Sequence, residues 1–137
     1  MDAFGFFDAE DDNEAVLREA ARVLLPGGGL ALKLVNGGLV LDDFRDTDRE
    51  ERDGMVATVS RTLTWGPPRM TERISVSGSR GHGEYERRQR LYRVDELHAA
   101  FERSGLSVEH VFASPTGTRF ESTSPTMWIV ARKRGAV

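Results

Sequence analysis

No cysteine occurs in the 137 residues, so disulfides, thiolate metal ligands and cysteine nucleophiles are excluded together. Histidine is scarce as well: His82, His98 and His110 are spread over a turn, a helix and a strand, with no metal-ligand spacing among them. No apolar run approaches the roughly 20 residues needed to cross a bilayer. Met1-Asp2-Ala3-Phe4 lacks the basic start and long apolar stretch of a signal peptide, so no membrane partner is expected and the expected location is cytoplasmic. A surplus of positive charge is also missing. Lys+Arg number 19 against 22 Asp+Glu, for a net charge of -3, and the charges are interspersed. A phosphate backbone requires a basic stripe, so nucleic acid is not expected as a partner. The length suits one domain with a modest core and leaves no room for a second.

The elements present are an alternation of helix and strand. Val16, Leu17, Ala20, Ala21 and Leu24 recur at three and four residues, which predicts a helix over Asn13 to Leu25 capped by Asp11 and Asp12. Pro26-Gly27-Gly28-Gly29 ends it. Leu30 to Val35 is a nearly unbroken apolar run with Lys33 as its only charge, suiting a strand covered on both faces as in a parallel sheet. Gly37 to Arg52 is an acidic connector in which Leu39, Leu41 and Phe44 form a short helical turn. Met55 to Trp65 then alternates, with Met55, Ala57, Val59, Leu63 and Trp65 on one side and Thr58, Ser60, Thr62 and Thr64 on the other. Gly66-Pro67-Pro68 turns the chain into a strand over Met70 to Ser77, and Gly78 to Gly83 turns it into another over Glu84 to Tyr92. These three strands form an antiparallel meander. Asp95 caps a helix carrying Leu97, Ala100 and Phe101, Leu106, Val108 and Phe112 alternate as a strand, and Met127 to Ala131 is a last apolar strand. Trp65 and Trp128 are expected in the core.

Phe4-Gly5-Phe6-Phe7, an acidic stretch and then VLREAARVLLPGGGLALKLVN (Val16 to Asn36) together resemble the segment of class I S-adenosylmethionine-dependent methyltransferases that follows the fourth strand of their sheet. RLYRVDELHAAFERSGLSVEHV (Arg90 to Val111) is similar to that family's last helix and sixth strand, and SPTMWIVARK (Ser124 to Lys133) to its seventh. The resemblance covers nearly the whole chain. It implies an α/β fold: a truncated Rossmann-like methyltransferase sheet with strands equivalent to the fifth, seventh and sixth. Residues 55–92 are the inserted antiparallel meander, a lid or dimerisation element, within a single domain over 1–137.

The same resemblance makes the missing half informative. The family places its cofactor at the carboxyl ends of the first four strands, with a glycine-rich turn after the first and an acidic residue ending the second. Neither can be placed here. Gly27-Gly28-Gly29, taken as the only glycine cluster at a helix boundary, closes a helix instead of opening one. The expectation is therefore no cofactor alone, and S-adenosylmethionine only if a partner supplies the other half. The strand over 30–35 would also be left with an open edge that invites another chain. Two partners suit it: a complementary methyltransferase half, or a second copy in a homodimer.

Several residues are candidates for contact with a small-molecule ligand. Phe4, Phe6 and Phe7 correspond to the family loop that borders cofactor and substrate, and Asn36 ends a strand where ligand-facing residues of open sheets gather. Arg90 could grip a carboxylate and Tyr92 orient a hydroxyl. His110 and His82 are the candidates for proton transfer near neutrality, and His110 draws attention by sharing a face with Val108 and Phe112. Against each stands a packing, capping or solvated-face role. Two functions follow. One is the substrate-side half of a small-molecule methyltransferase that needs a partner for methyl transfer. The alternative is a repurposed, cofactor-independent fold acting as a homodimeric ligand-binding protein or cyclase/isomerase.

Overall fold

A computed structural model describes residues 10–135. Helix α1 (Glu10–Val23) opens it. Asp11 and Asp12 therefore lie within the helix and not ahead of it, and the helix stops two residues before Leu25. The apolar spacing does its expected work, since Leu17 and Ala21 are buried. Gly27 takes φ +80°, and its N–H donates to the Lys133 carbonyl at 3.0 Å while that of Gly28 donates to Leu25 at 2.7 Å. Only glycine adopts this conformation without strain. The turn thus both ends the helix and ties it to the far end of the chain.

The remaining elements follow in order: β1 (Gly29–Val35), α2 (Gly37–Asp42), β2 (Thr47–Arg52), β3 (Met55–Thr64), β4 (Arg69–Gly78), β5 (Gly81–Arg90), α3 (Val94–Arg103), β6 (Leu106–Phe112) and β7 (Thr126–Lys133). They form two sheets. One has the order β1-β7-β6, the other β2-β3-β4-β5. In the first, β7 runs antiparallel to both neighbours, pairing Leu32 with Ile129 and Val111 with Ile129 across its two edges. This is the five-seven-six order that the resemblance implies. The expectation that β1 is covered on both faces is corrected, because only Leu32 is buried and Ala31 and Lys33 are exposed.

The core lies on one face of that sheet. Leu17 and Ala21 of α1 and Leu97, Ala100 and Phe101 of α3 meet Leu32, Leu106, Met127, Ile129 and Ala131. Burying side chains of this size contributes about 1.5–3 kcal/mol each for the larger ones. Helix α3 is capped at Arg93, not at Asp95: the Glu96 side chain accepts from the Arg93 N–H at 3.2 Å, the returning half of a capping box. Arg134 closes the other end of α3 by donating to the Glu102 carboxylate at 2.8 Å. Trp65 is corrected from core to surface, at 69% exposure, because it lies in the turn beyond β3, where alternation no longer binds it to a face.

The second sheet has four strands where the sequence suggests three, since β2 pairs with β3 from Thr47↔Ser60 to Arg52↔Met55. Its two faces differ. Thr58, Ser60, Thr71, Arg73 and Glu86 share the wet one, while Val59, Arg61, Leu63, Met70, Glu72 and Arg87 share the other by register. No helix among the described residues is long and apolar enough to cross a membrane.

Candidate functional site

The carboxyl end of β1, the α2–β2 connector and the inner face of the four-stranded sheet enclose an open cleft of about 640 Å³. Leu34, Val35, Leu39, Val40 and Phe44 form one wall, and Arg61, Met70, Glu72, Arg87 and Gln89 form the other. Ligands of open α/β sheets gather beyond the carboxyl ends of the strands, and this cleft occupies such a place. A larger hollow of about 920 Å³ lies on the wet face of the same sheet. None of its lining residues is buried, so it is a solvated, Thr- and Ser-rich surface. The smaller cleft has Met70, Glu72 and Gln89 buried in its wall, which is the mark of a shaped site.

Glu72 organises that wall. Its side chain is 5% exposed, and its carboxylate accepts from Arg61 Nε at 3.0 Å on one oxygen and from Arg87 Nε at 3.0 Å and Nη2 at 2.6 Å on the other. Arg61 also donates from Nη1 to the Arg45 carbonyl at 3.2 Å and approaches Asp48 at 3.8 Å. The connector between α2 and β2 is thereby fastened to the sheet. A buried carboxylate between two guanidiniums satisfies charge and hydrogen bonding at once, as burial of an ion demands.

The residues singled out in the sequence lie elsewhere. Phe4, Phe6 and Phe7 fall outside the described residues. Asn36 is buried and holds the chain together: its Oδ1 accepts from Leu39 N–H at 3.4 Å, capping α2, and its Nδ2 donates to the carbonyls of Ser122 at 3.1 Å and Ser124 at 2.9 Å. Arg90 is buried too. It donates from Nη2 to Glu96 at 2.7 Å, donates from Nη1 to the Leu91 carbonyl, and lies 4.2 Å over the Tyr92 ring. Because Arg90 follows Gln89 along β5, alternation turns it away from the cleft, and neither Arg90 nor Tyr92 lines it. Glu96 is pulled two ways: burial alone would raise its pKa, but hydrogen bonds from Arg90 and the Arg93 backbone outweigh it and hold the carboxyl below its ordinary value.

The histidines are not brought together. His82 is exposed at the start of β5, His98 on α3 and His110 on β6. The sequence placed His110 on a face with Val108, and the structure corrects this. Val108 pairs with Ala131 and His110 with Val130, so Glu109 is an extra residue and the bulge moves His110 to the opposite face. There it stacks on Phe112, with ring centroids 5.3 Å apart. The cleft lining contains no histidine, and no group of three His, Asp or Glu among the described residues could hold a metal.

Sequence reasoning missed Arg61, Glu72 and Arg87. A signal existed: Arg61 interrupts the series Ala57, Val59, Leu63, and Glu72 stands between Met70 and Ile74 on the same face. Charges at apolar positions of an alternating strand are informative. The glycine reading is also corrected, because Gly37-Gly38 opens α2 directly after β1.

No family model matches the sequence, and no curated protein matches it. Solved structures do. A S-adenosylmethionine-dependent methyltransferase from Clostridium acetobutylicum superposes with a TM-score of 0.83 at 12% identity, over 98% of this chain and 56% of its own. The CcbJ methyltransferase from Streptomyces caelestis gives 0.83 at 18% identity, over 96% and 53%. CalS10, an amino pentose methyltransferase from Micromonospora echinaspora, gives 0.55 at 22% identity, over 97% and 55%. The fold is that of a S-adenosylmethionine-dependent methyltransferase, and the chain spans about half the length of the solved structures it matches.

Proposed function

We propose that the chain forms the acceptor-side half of a small-molecule methyltransferase and that the cofactor-binding half comes from a partner polypeptide pairing with β1. One observation carries this reading: the cleft opens at the carboxyl end of β1, and β1 has a strand neighbour on only one edge among the described residues. A free edge presents unpaired N–H and C=O groups along its length. A half-fold that continued the sheet would satisfy them and close the cleft at the same time. The name of the similar amino pentose methyltransferase supports a small acceptor.

The described residues do not fit S-adenosylmethionine. Of the two glycine turns, the one at Gly27 and Gly28 spends both N–H groups on Lys133 and Leu25. At Gly37 an added Cβ would meet the Tyr92 backbone at 2.5 Å, so that glycine serves the approach of two protein segments. On this reading the cofactor site lies outside the described residues. What this chain contributes is a wall that orients an acceptor, with Glu72 fixing Arg61 and Arg87, and with the apolar side chains of α2 excluding water.

The test is calorimetric titration of S-adenosylmethionine into the chain alone, with its mass measured by light scattering on the same sample. The reading predicts no heat of binding. Micromolar binding would overturn it, and a discrete homodimer with its own ligand pocket would favour the cofactor-independent alternative.

A further inference from the structure

We propose that the cleft carries an oxyanion-binding subsite, formed by the guanidiniums of Arg45 and Arg87 and positioned by Arg61 and Glu72, that takes a carboxylate or phosphate group of the acceptor. The inference deepens the preceding reading and rests on the cleft being an acceptor wall.

Three observations carry it. The first is the cost of the charged wall. Glu72 and its two arginines sit on a sheet face whose other members include Val59, Leu63 and Ile74, and replacing such a buried ionic group by apolar residues is often neutral or stabilising. Stability alone does not explain the group. The second is which donors remain. Glu72 takes Nε and Nη2 of Arg87, which leaves Nη1 with no acceptor among the described residues, on a side chain that is 52% exposed. The Arg45 carbonyl is held by Arg61, and Arg45 is itself an exposed residue of the same lining. The third is the balance of charge. Four basic side chains line the cleft against three acidic ones, on a chain whose net charge is -3. The site is locally positive on a negative protein. Planar guanidiniums with fixed orientation suit the paired oxygens of a carboxylate or phosphate.

The experiment follows the arginine Nε–H signals in two-dimensional nitrogen-15 spectra of the full chain. Inorganic phosphate and acetate are titrated separately at an ionic strength held constant with sodium chloride. The Arg87 signal is expected to shift saturably, and R87Q and R45Q should each weaken binding at least about fivefold. R88Q, on the opposite face of β5, should match the wild type. Saturation by phosphate alone would support a phosphate-selective subsite, and saturation by both anions would support a carboxylate-tolerant one. Shifts that never saturate, or R87Q and R45Q both binding as the wild type does, would overturn the proposal. Because this experiment needs no cofactor half, an oxyanion site that fails leaves the methyltransferase reading standing, and anion binding that saturates is read independently of cofactor binding.

Discussion

Replacing Asn36 separates two roles that one side chain combines. In N36A the cap of α2 is lost, a change of about 1 kcal/mol for a typical N-cap. Two further hydrogen bonds go with it, those from Nδ2 to Ser122 and Ser124, at about 1 kcal/mol each. The sum is about 3 kcal/mol. N36D is the more telling variant. Aspartate caps helices well, so it keeps the acceptor for Leu39 N–H. It also replaces the donor by a carboxylate oxygen facing two carbonyls in a buried site where Asn36 is 4% exposed. The structure therefore predicts that N36D is at least as unstable as N36A, against the ordinary ranking of caps. With a urea slope of about 2 kcal/mol per molar, either variant should lower the unfolding midpoint by about 1.5 M. The midpoints are compared at one protein concentration, since association would shift them. An N36D midpoint equal to the wild type would refute the reasoning, because it would mean that the tether to the loop before β7 carries no weight.

Two other perturbations follow from the same geometry. G37A should destabilise by more than about 1 kcal/mol, because the new Cβ would meet Tyr92 N and O at 2.5 and 2.6 Å; thermal unfolding of the purified variant checks it. Glu96 sets an acid dependence. Its carboxyl is held below its ordinary value in the folded chain, so its contribution is present above the unfolded pKa of about 4.3 and is lost as pH falls through the folded value. The melting temperature of E96Q should accordingly fall less than that of the wild type between about pH 5 and pH 3; parallel curves would remove Glu96 as a source of acid sensitivity.

The parts of the fold legible in the sequence are those where burial imposes a period. The α1 stripe, the β1 run and the Met127 to Ala131 run are all core elements, and each has boundaries within a few residues of those expected. β2 was illegible for the opposite reason. Its sequence TDREER is exposed throughout, so no apolar alternation marks it, and register with β3 alone makes it a strand. His110 shows a different limit. A one-residue bulge reverses the face of every following side chain, and nothing local in Val108-Glu109-His110 announces it. The site was hidden by its chemistry. Arginine and glutamate on a strand read as solvent-facing until the register brings Arg61, Glu72 and Arg87 side by side. Asn36 was legible as a residue of consequence, and the structure shows its hydrogen bonds spent within the protein.

Mixing the chain with a cofactor-side half discriminates best. The chain would be mixed with the cofactor-side portion of the similar Streptomyces caelestis methyltransferase, and S-adenosylmethionine binding measured by calorimetry for the mixture and for each component. A third sample would carry A31P on the edge strand, where proline obstructs pairing. Binding that is strongest in the mixture and falls with A31P is the predicted result; binding to this chain alone as tight as to the mixture would contradict the assignment of β1 as the seam between two halves.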